Sequence, residues 1–501
     1  MMTTTASELA EFGYRQELRR TLGGFSAFAA GFSFVSILTT VFQLFGFGYS
    51  FGGTLFFWTW PVVLLGQLMV ALTFAELASR YPLAGSVYQW AKQLAGGFRG
   101  WLAGWTMLLG CVVALASAAI ALQVVLPSVW SGFQIVGGDP SITSATGATN
   151  AALLGALLLV CTTVVNAIGV RVMARINDIG VAAELVGVVV LIGGLVTFAV
   201  RGPQVVLQES SGGGGAWLAS ALAAAYVLYG FDTAASVSEE TKNARRAAPR
   251  AVLRALLISG VGALAVVLVA LMAAPSLTDG NLAGRGLPYV ITSVFGETFG
   301  RIFLADVAVA VVVCTLTIQT GTIRLFYAMA RDNALPFSAG LSRVNERTGT
   351  PIAPAVVSGA LAIALLLLNL GNSTLFATIT ATSVVLVYLA YLLVTTPLLG
   401  KRLRKQFPAP QPGWFSLGRW ALPVTIAAVA YGALMIVNIA WPRGEIYDLA
   451  GTGSIWMLLF PIEFVVVAVL VGWLYWRSRE SAISVDRSKF LTCIDSSVRE
   501  H

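Results

Sequence analysis

Long apolar stretches alternate with short polar ones from about residue 23 to residue 476, and their spacing predicts helices that each cross a bilayer. A helix needs about 20 apolar residues to span roughly 30 Å of hydrocarbon. Twelve stretches qualify: 23–48, 54–78, 100–127, 150–170, 177–200, 216–238, 251–273, 302–330, 352–370, 374–399, 420–441 and 454–476. Runs such as LLGALLLVCTTVVNAIG (153–169) lack the two-residue alternation of a membrane-barrel strand. The expected fold is therefore all-α and integral to the membrane. The longest polar connections, near 128–149, 274–301 and 331–351, are too short to fold alone. Chemistry is expected between the helices.

Within this pattern the first and sixth stretches stand apart. The first carries Gly31, Phe32 and Ser33, and the sixth carries Gly230, Phe231 and Asp232; in each, small hydroxylic residues follow. Interrupted helices at corresponding places in two halves mark transporters built from inverted repeats. Close helix packing at the two glycines is the plainer alternative. The run SSGGGG at 210–215 lacks the Lys and Ser/Thr of a phosphate loop and is expected to be a tether or hinge.

Composition agrees with the pattern. Of 501 residues 57% are hydrophobic and 11% charged, and the mean hydropathy is +0.82, far from soluble domains. The net charge of +8 could suggest an anionic partner, but its distribution decides otherwise. Of 31 Lys and Arg, only Arg201, Arg285, Arg301 and Arg443 fall on one side, leaving 27 on the other. That split orients the chain with both termini cytoplasmic and excludes a nucleic-acid footprint. The first 22 residues form a cytoplasmic tail without the apolar core of a cleaved signal, and 477–501 form a second tail. The four cysteines have no metal or redox spacing, and the single histidine, His501, is the last residue. No metal, cofactor or enzymatic triad is expected. Only five basic residues are lysine, a bias that suggests a GC-rich bacterial genome, and the expected location is therefore a bacterial inner membrane.

Acids inside apolar stretches are functional candidates, because a charge at the bilayer centre costs about 2.5–3.5 kcal/mol on insertion scales. Asp232 lies ten residues before Lys242, about 15 Å of helix, and either serves a substrate or caps the helix that follows near Ala234 and Ala235. Glu184 lies nine residues past Arg175. It is a candidate for proton uptake and release, for cation coordination, or for a structural bond to Asn166 or Thr317. Glu76, Arg80, Arg324 and Asp306 sit near span ends, where Glu76 and Arg324 could pair as an inner gate.

Three longer motifs then bear on identity: FAELASRYPLAGSVYQWAKQL (74–94), YGFDTAASVSEETKNARRAAPRAV and IRLFYAMARDNALPFSAGLSRVNERTGTPIAPAV. They resemble, in order, signatures of the amino acid-polyamine-organocation transporters, in particular the amino acid/choline branch, and the resemblance runs from about Leu22 to Trp476. It implies a transport core over 23–399, with inverted repeats 23–200 and 216–399, first and sixth helices unwound beside the substrate, and two accessory helices in 400–476. In that family the substrate carboxylate sits at the first-helix break, here matched by Leu38, Thr39 and Thr40, with Ser36 just upstream. Thr40 replaces the usual glycine, so its hydroxyl is expected to contact the ligand or narrow the pocket. The sixth-helix break offers carbonyls to the substrate amine at positions matched by Tyr226, Val227 and Tyr229, and Tyr226 matches a common aromatic gate; beside them Gly230 is expected to break the helix at the substrate and Phe231 to pack or gate there. Ser236 stands where many relatives have histidine. Glu184 stands where several superfamily members have a lysine replacing sodium, so the charge is reversed.

The expected function is secondary active transport of an amino acid or related amine by alternating access, driven by protons, with sodium as the alternative ion. Choline, polyamines and 4-aminobutyrate stay open as substrates, as does exchange rather than uptake. The partners implied are a small-molecule substrate and the lipid bilayer. A non-transporting sensor and a channel are the rivals from other classes; the polar residues Thr315, Thr317, Gln319 and Thr320 are too few for a channel stripe.

Overall fold

The computed structural model describes residues 9–208, 213–368, 370–371, 375–448 and 453–498. Of the Ser-Gly run, 210–212 lie outside the described residues, while Gly214 and Gly215 open a helix. Among the described residues the chain is helical, with no strand and one isolated bridge, Leu22 to Thr241. Among the described residues nine helical stretches are long and apolar enough to cross a membrane, and the first of them, Gly24–Arg80, runs for 57 residues. Two shorter apolar helices, Gly214–Val227 and Ile352–Leu367, add to these.

In chain order the helices used below are α1 (Gly24–Val35), α2 (Ile37–Gly52), α3 (Thr59–Arg80), α4 (Ser86–Leu94), α5 (Gly97–Val129), α6 (Ala145–Ile168), α7 (Val170–Thr197), α8 (Gly214–Val227), α9 (Thr233–Ser236), α10 (Ala244–Ala273), α11 (Gly280–Gly284), α12 (Leu287–Arg331), α13 (Ile352–Leu367), α14 (Leu375–Leu403), α15 (Ala421–Ala440) and α16 (Ile455–Val498). Apolar helices stay helical in oil because no water is there to take their backbone groups. Their ends and breaks therefore report special local chemistry. α12 is one example: Gly296, at φ 75°, leaves the helical region and separates a leading segment from the span predicted at 302–330.

The centre of the bundle is α5 packed along both α12 and α14. α1 and α2, although consecutive, choose different neighbours: α1 lies on α10 and α9, whereas α2 lies on α8. α7 touches α1, α2, α10 and α12 with its buried face and turns Ile179, Val186 and Val189 outward. In a soluble protein such a face would be a liability; here it faces acyl chains.

Candidate functional site

The first span breaks at one residue. Ser36 has φ 39° and ψ 99°, so α1 stops at Val35 and α2 restarts at Ile37. Gly31, Phe32 and Ser33, the triplet matched to the sixth span, stay helical; the interruption is three residues further on. Gly31 is instead a packing position. A Cβ there would come within 2.9 Å of Ala234 and Ala255 and 3.0 Å of the Phe231 carbonyl, so this glycine lets α1 approach the sixth span.

A restarted helix exposes N–H groups and the positive end of its dipole, and an acid is the natural partner. Glu184 of α7 supplies it. Its Oε1 accepts the Leu38 N–H at 3.0 Å and lies 2.9 Å from Ser36 Oγ, while Oε2 is buried without a donor among the described residues. Ser36 Oγ also lies 2.7 Å from Thr39 Oγ1 and accepts the Thr39 N–H at 3.3 Å. Thr40 turns its hydroxyl onto the Val35 and Ser36 carbonyls at 2.9 and 2.7 Å, bridging the break. Its hydroxyl proton thus serves the backbone. Glu184 also has different partners from those expected: Asn166 bonds Thr320, and Thr317 bonds Asn177, which joins α12 to Ser33 of α1.

The sixth span opens over five residues, from Leu228 to Asp232. Gly230 is required there twice over. Its φ of +88° belongs to the left-handed region, and a Cβ would lie 1.9 Å from the Phe34 ring. Its N–H donates to the Tyr391 hydroxyl at 3.1 Å, and that hydroxyl donates to Asp232 Oδ1 at 2.5 Å. Ser86, the first residue of α4, donates to Oδ2 at 3.1 Å and lies 2.9 Å from Ser236 Oγ. The Asp232 side chain does not cap α9; its backbone carbonyl accepts from Ala235 and Ser236 instead. The carboxyl group ties three helices together through hydroxyl donors.

Between the two breaks the fill is aromatic. Phe34 meets Tyr229 edge-on at 5.9 Å, and Tyr229 meets Tyr226 at 5.4 Å. The Tyr229 hydroxyl reaches Ser383 of α14 at 2.8 Å, and Val227 ends α8. Phe231 packs on Phe74 and Tyr391. Beside Asp232 lies a cavity of about 10 Å³ that Ser86, Met107, Cys111 and Ser236 help to line, room for about one water.

The expected inner pair of Glu76 with Arg324 is not the pairing observed. Arg324 holds Glu240 at 3.0 and 3.2 Å, both side chains fully buried, and Glu76 is joined to Arg402. Neighbouring pairs extend the closure: Arg331 with Glu239, and Lys92 with Asp332 at 2.6 Å. The N-terminal segment seals this face. Leu22 exchanges backbone bonds with Glu240 and Lys242, and Gln16 donates to the Glu239 carbonyl. Tyr14 donates to Asp332 at 2.9 Å and accepts from Lys92 at 2.8 Å. Burial and the Asp332 carboxylate hold the Tyr14 phenol well above its ordinary pKa, so it stays a donor. The tandem Glu239-Glu240 within the YGFD motif was the sequence signal for this closure; Tyr14, Tyr391 and Ser86 carried none.

The profile of the amino acid permease family matches residues 22–470. The chain belongs to that family. This permease is 30% identical to an amino-acid permease BAT1 homolog of Oryza sativa subsp. japonica over 469 residues, 88% of each chain. It is 28% identical to amino-acid permease BAT1 of Arabidopsis thaliana, over 88% of this chain and 89% of that one. To the GABA-specific permease of Saccharomyces cerevisiae it is 25% identical, over 87% and 78% respectively. Family members are multi-pass membrane transporters rather than enzymes, and the apolar helices described above fit such a role. These relatives come from plants and a yeast, so they do not bear out the bacterial origin expected from lysine usage.

Proposed function

We propose that this permease moves an amino acid or related amine across a cytoplasmic membrane by alternating access, taking up protons with its substrate. In this reading the chain has twelve spans, with α1/α2 and α8/α9 as the discontinuous helices of two inverted repeats, α15 and α16 as accessory helices, and both termini cytoplasmic. The inner membrane of a bacterium is the proposed setting, supported by lysine scarcity alone.

The observation that carries the mechanism is the seat of Glu184 on the Leu38 N–H and Ser36 Oγ. Those donors are what a substrate carboxylate would need at the start of α2, since a half-helix N-terminus favours an anion. Two carboxylates cannot share them without repulsion. Protonation neutralises Glu184, weakens its hold on the donors and leaves them to the substrate. Substrate and proton then bind together, which is the thermodynamic requirement for symport. The substrate amine would meet the carbonyls around Tyr226, Val227 and Tyr229, with Phe34 moving aside.

One observation favours an amine-rich or ω-amino substrate such as 4-aminobutyrate as a second reading. Asp232 is buried, and its side-chain donors among the described residues are the Ser86 and Tyr391 hydroxyls with no cation among them, so its carboxylate could receive a distal ammonium. Thermal-shift screening against amino acids, amines and choline would separate these substrates. For coupling, the test is uptake into proteoliposomes under an inward proton gradient. Glu184→Gln should lose accumulation while retaining counterflow exchange, and accumulation at the wild-type level would remove Glu184 from the coupling step.

A further inference from the structure

The hairpin between α14 and α15 builds a basic hollow at the edge of the bundle, on the same face as the N-terminal segment. α14 ends at Leu403, and Lys405 adopts φ 55° while the Gln406 N–H donates back to the Lys401 carbonyl at 2.8 Å. This left-handed closure turns the chain away from the helix axis. The chain returns through Gly418–Trp420 directly into α15. A cavity of about 340 Å³ lies between these limbs, lined by Arg402, Lys405 and Arg419 together with Glu76, Pro408 and Leu422.

The charges do not balance. Glu76 is taken by Arg402, which also donates to the Ala421 carbonyl and Thr425. The Arg402 side chain is 6% exposed, yet its Nε–H has no acceptor among the described residues. Lys405 and Arg419 are exposed and form no ion pair among the described residues. α15, 20 residues long, begins at the hollow without a side-chain cap, so its positive dipole end adds to the cations. A single anion with several acceptor oxygens would answer all of these groups.

The surroundings say which anion. Leu422 lines the cavity and is itself exposed; Ile426, one turn along α15, and Trp420 are exposed beside it. Apolar residues on a spanning helix face acyl chains, and tryptophan is favoured at headgroup level. A free phosphate would meet the cations and ignore this apolar flank. We propose that the hollow binds the anionic headgroup of a glycerophospholipid from the leaflet on the basic face, its phosphate between Lys405, Arg419 and Arg402 and its chains along Leu422 and Ile426.

The test uses the full-length chain in a neutral detergent, titrated with dioleoyl phosphatidylglycerol while the thermal unfolding midpoint is followed. Wild-type protein should show a saturable rise. Lys405→Ala/Arg419→Ala, two exposed positions that leave the bundle intact, should need roughly thirtyfold more lipid, about fivefold per removed charge. Arg250→Ala/Arg254→Ala, which removes two exposed charges of α10, should titrate as wild type. An unchanged response in the Lys405/Arg419 variant would overturn the site. So would the full rise given by glycerol 1-phosphate, which would make it a soluble-anion site, or by dioleoyl phosphatidylcholine, which would make the charge irrelevant.

Discussion

The two helix interruptions look equivalent in sequence and are built differently. The first is one residue wide; its own Ser36 and Thr40 side chains bond across it, and a carboxyl group that α7 brings to the start of α2 takes the Leu38 N–H from outside. The second is five residues wide and is satisfied from within and from two directions, through its own Asp232, Tyr391 of α14 and Ser86. A helix start whose freed N–H is taken by one foreign acid responds to a change in that acid's charge. A break wired to hydroxyl groups on two other elements keeps its shape. In the proposed transport cycle the first span would be the responsive half of the site and the sixth the fixed half.

The largest effect should come from closing the fixed half. Gly230→Ala puts a Cβ into a left-handed backbone and against Phe34 at 1.9 Å. Backbone strain of about 1–3 kcal/mol adds to overpacking of about 1–3 kcal/mol. We expect loss of transport and a clearly lowered unfolding midpoint in detergent. A variant that transports at the wild-type rate would mean that the path through Gly230 is not fixed.

Much of this was legible beforehand, and the physics explains where legibility stopped. Apolar helices are written in the chain because each must hide its own backbone from oil, so apolar length pointed to an all-helical bundle, although among the described residues nine stretches and not twelve are long enough to cross. Gly230 and Asp232 were visible because glycine and acid are costly in that setting. Ser36 was harder to read. The Gly31 triplet drew attention to the wrong turn, since a glycine that admits a neighbouring helix and one that breaks a helix carry the same letter. Glu184 was visible as a buried acid, but its partners were not, because a bond between residues 146 apart leaves no local trace. The inner ion pairs were misassigned for the same reason: Arg324 had several acids at compatible depth, and only packing selects Glu240.

An intermediate effect should come from cutting one wire of the sixth break. Tyr391→Phe removes the donor to Asp232 and the acceptor of the Gly230 N–H together. Buried groups left without partners cost about 1–3 kcal/mol. The ring can remain against Phe74 and Phe231, so packing is conserved and the loss reads on hydrogen bonding alone. Wild-type stability in this variant would show that the break is held by packing, and the contrast between the two spans would then narrow.

The smallest effect should separate backbone strain from side-chain bonding at the first break. Ser36→Ala keeps a Cβ at φ 39° and loses the hydroxyl beside Glu184, so it carries both penalties. Ser36→Gly loses the same hydroxyl but accepts the positive φ at no steric cost. Replacing a helix-capping serine by alanine costs about 0.5–2 kcal/mol, and by glycine only a few tenths. The glycine variant should therefore unfold close to wild type and the alanine variant below both. Equal losses in the two would mean that the Ser36 hydroxyl dominates. The first break would then depend on its own side chain as the sixth does, and Glu184 would be the lesser of its supports.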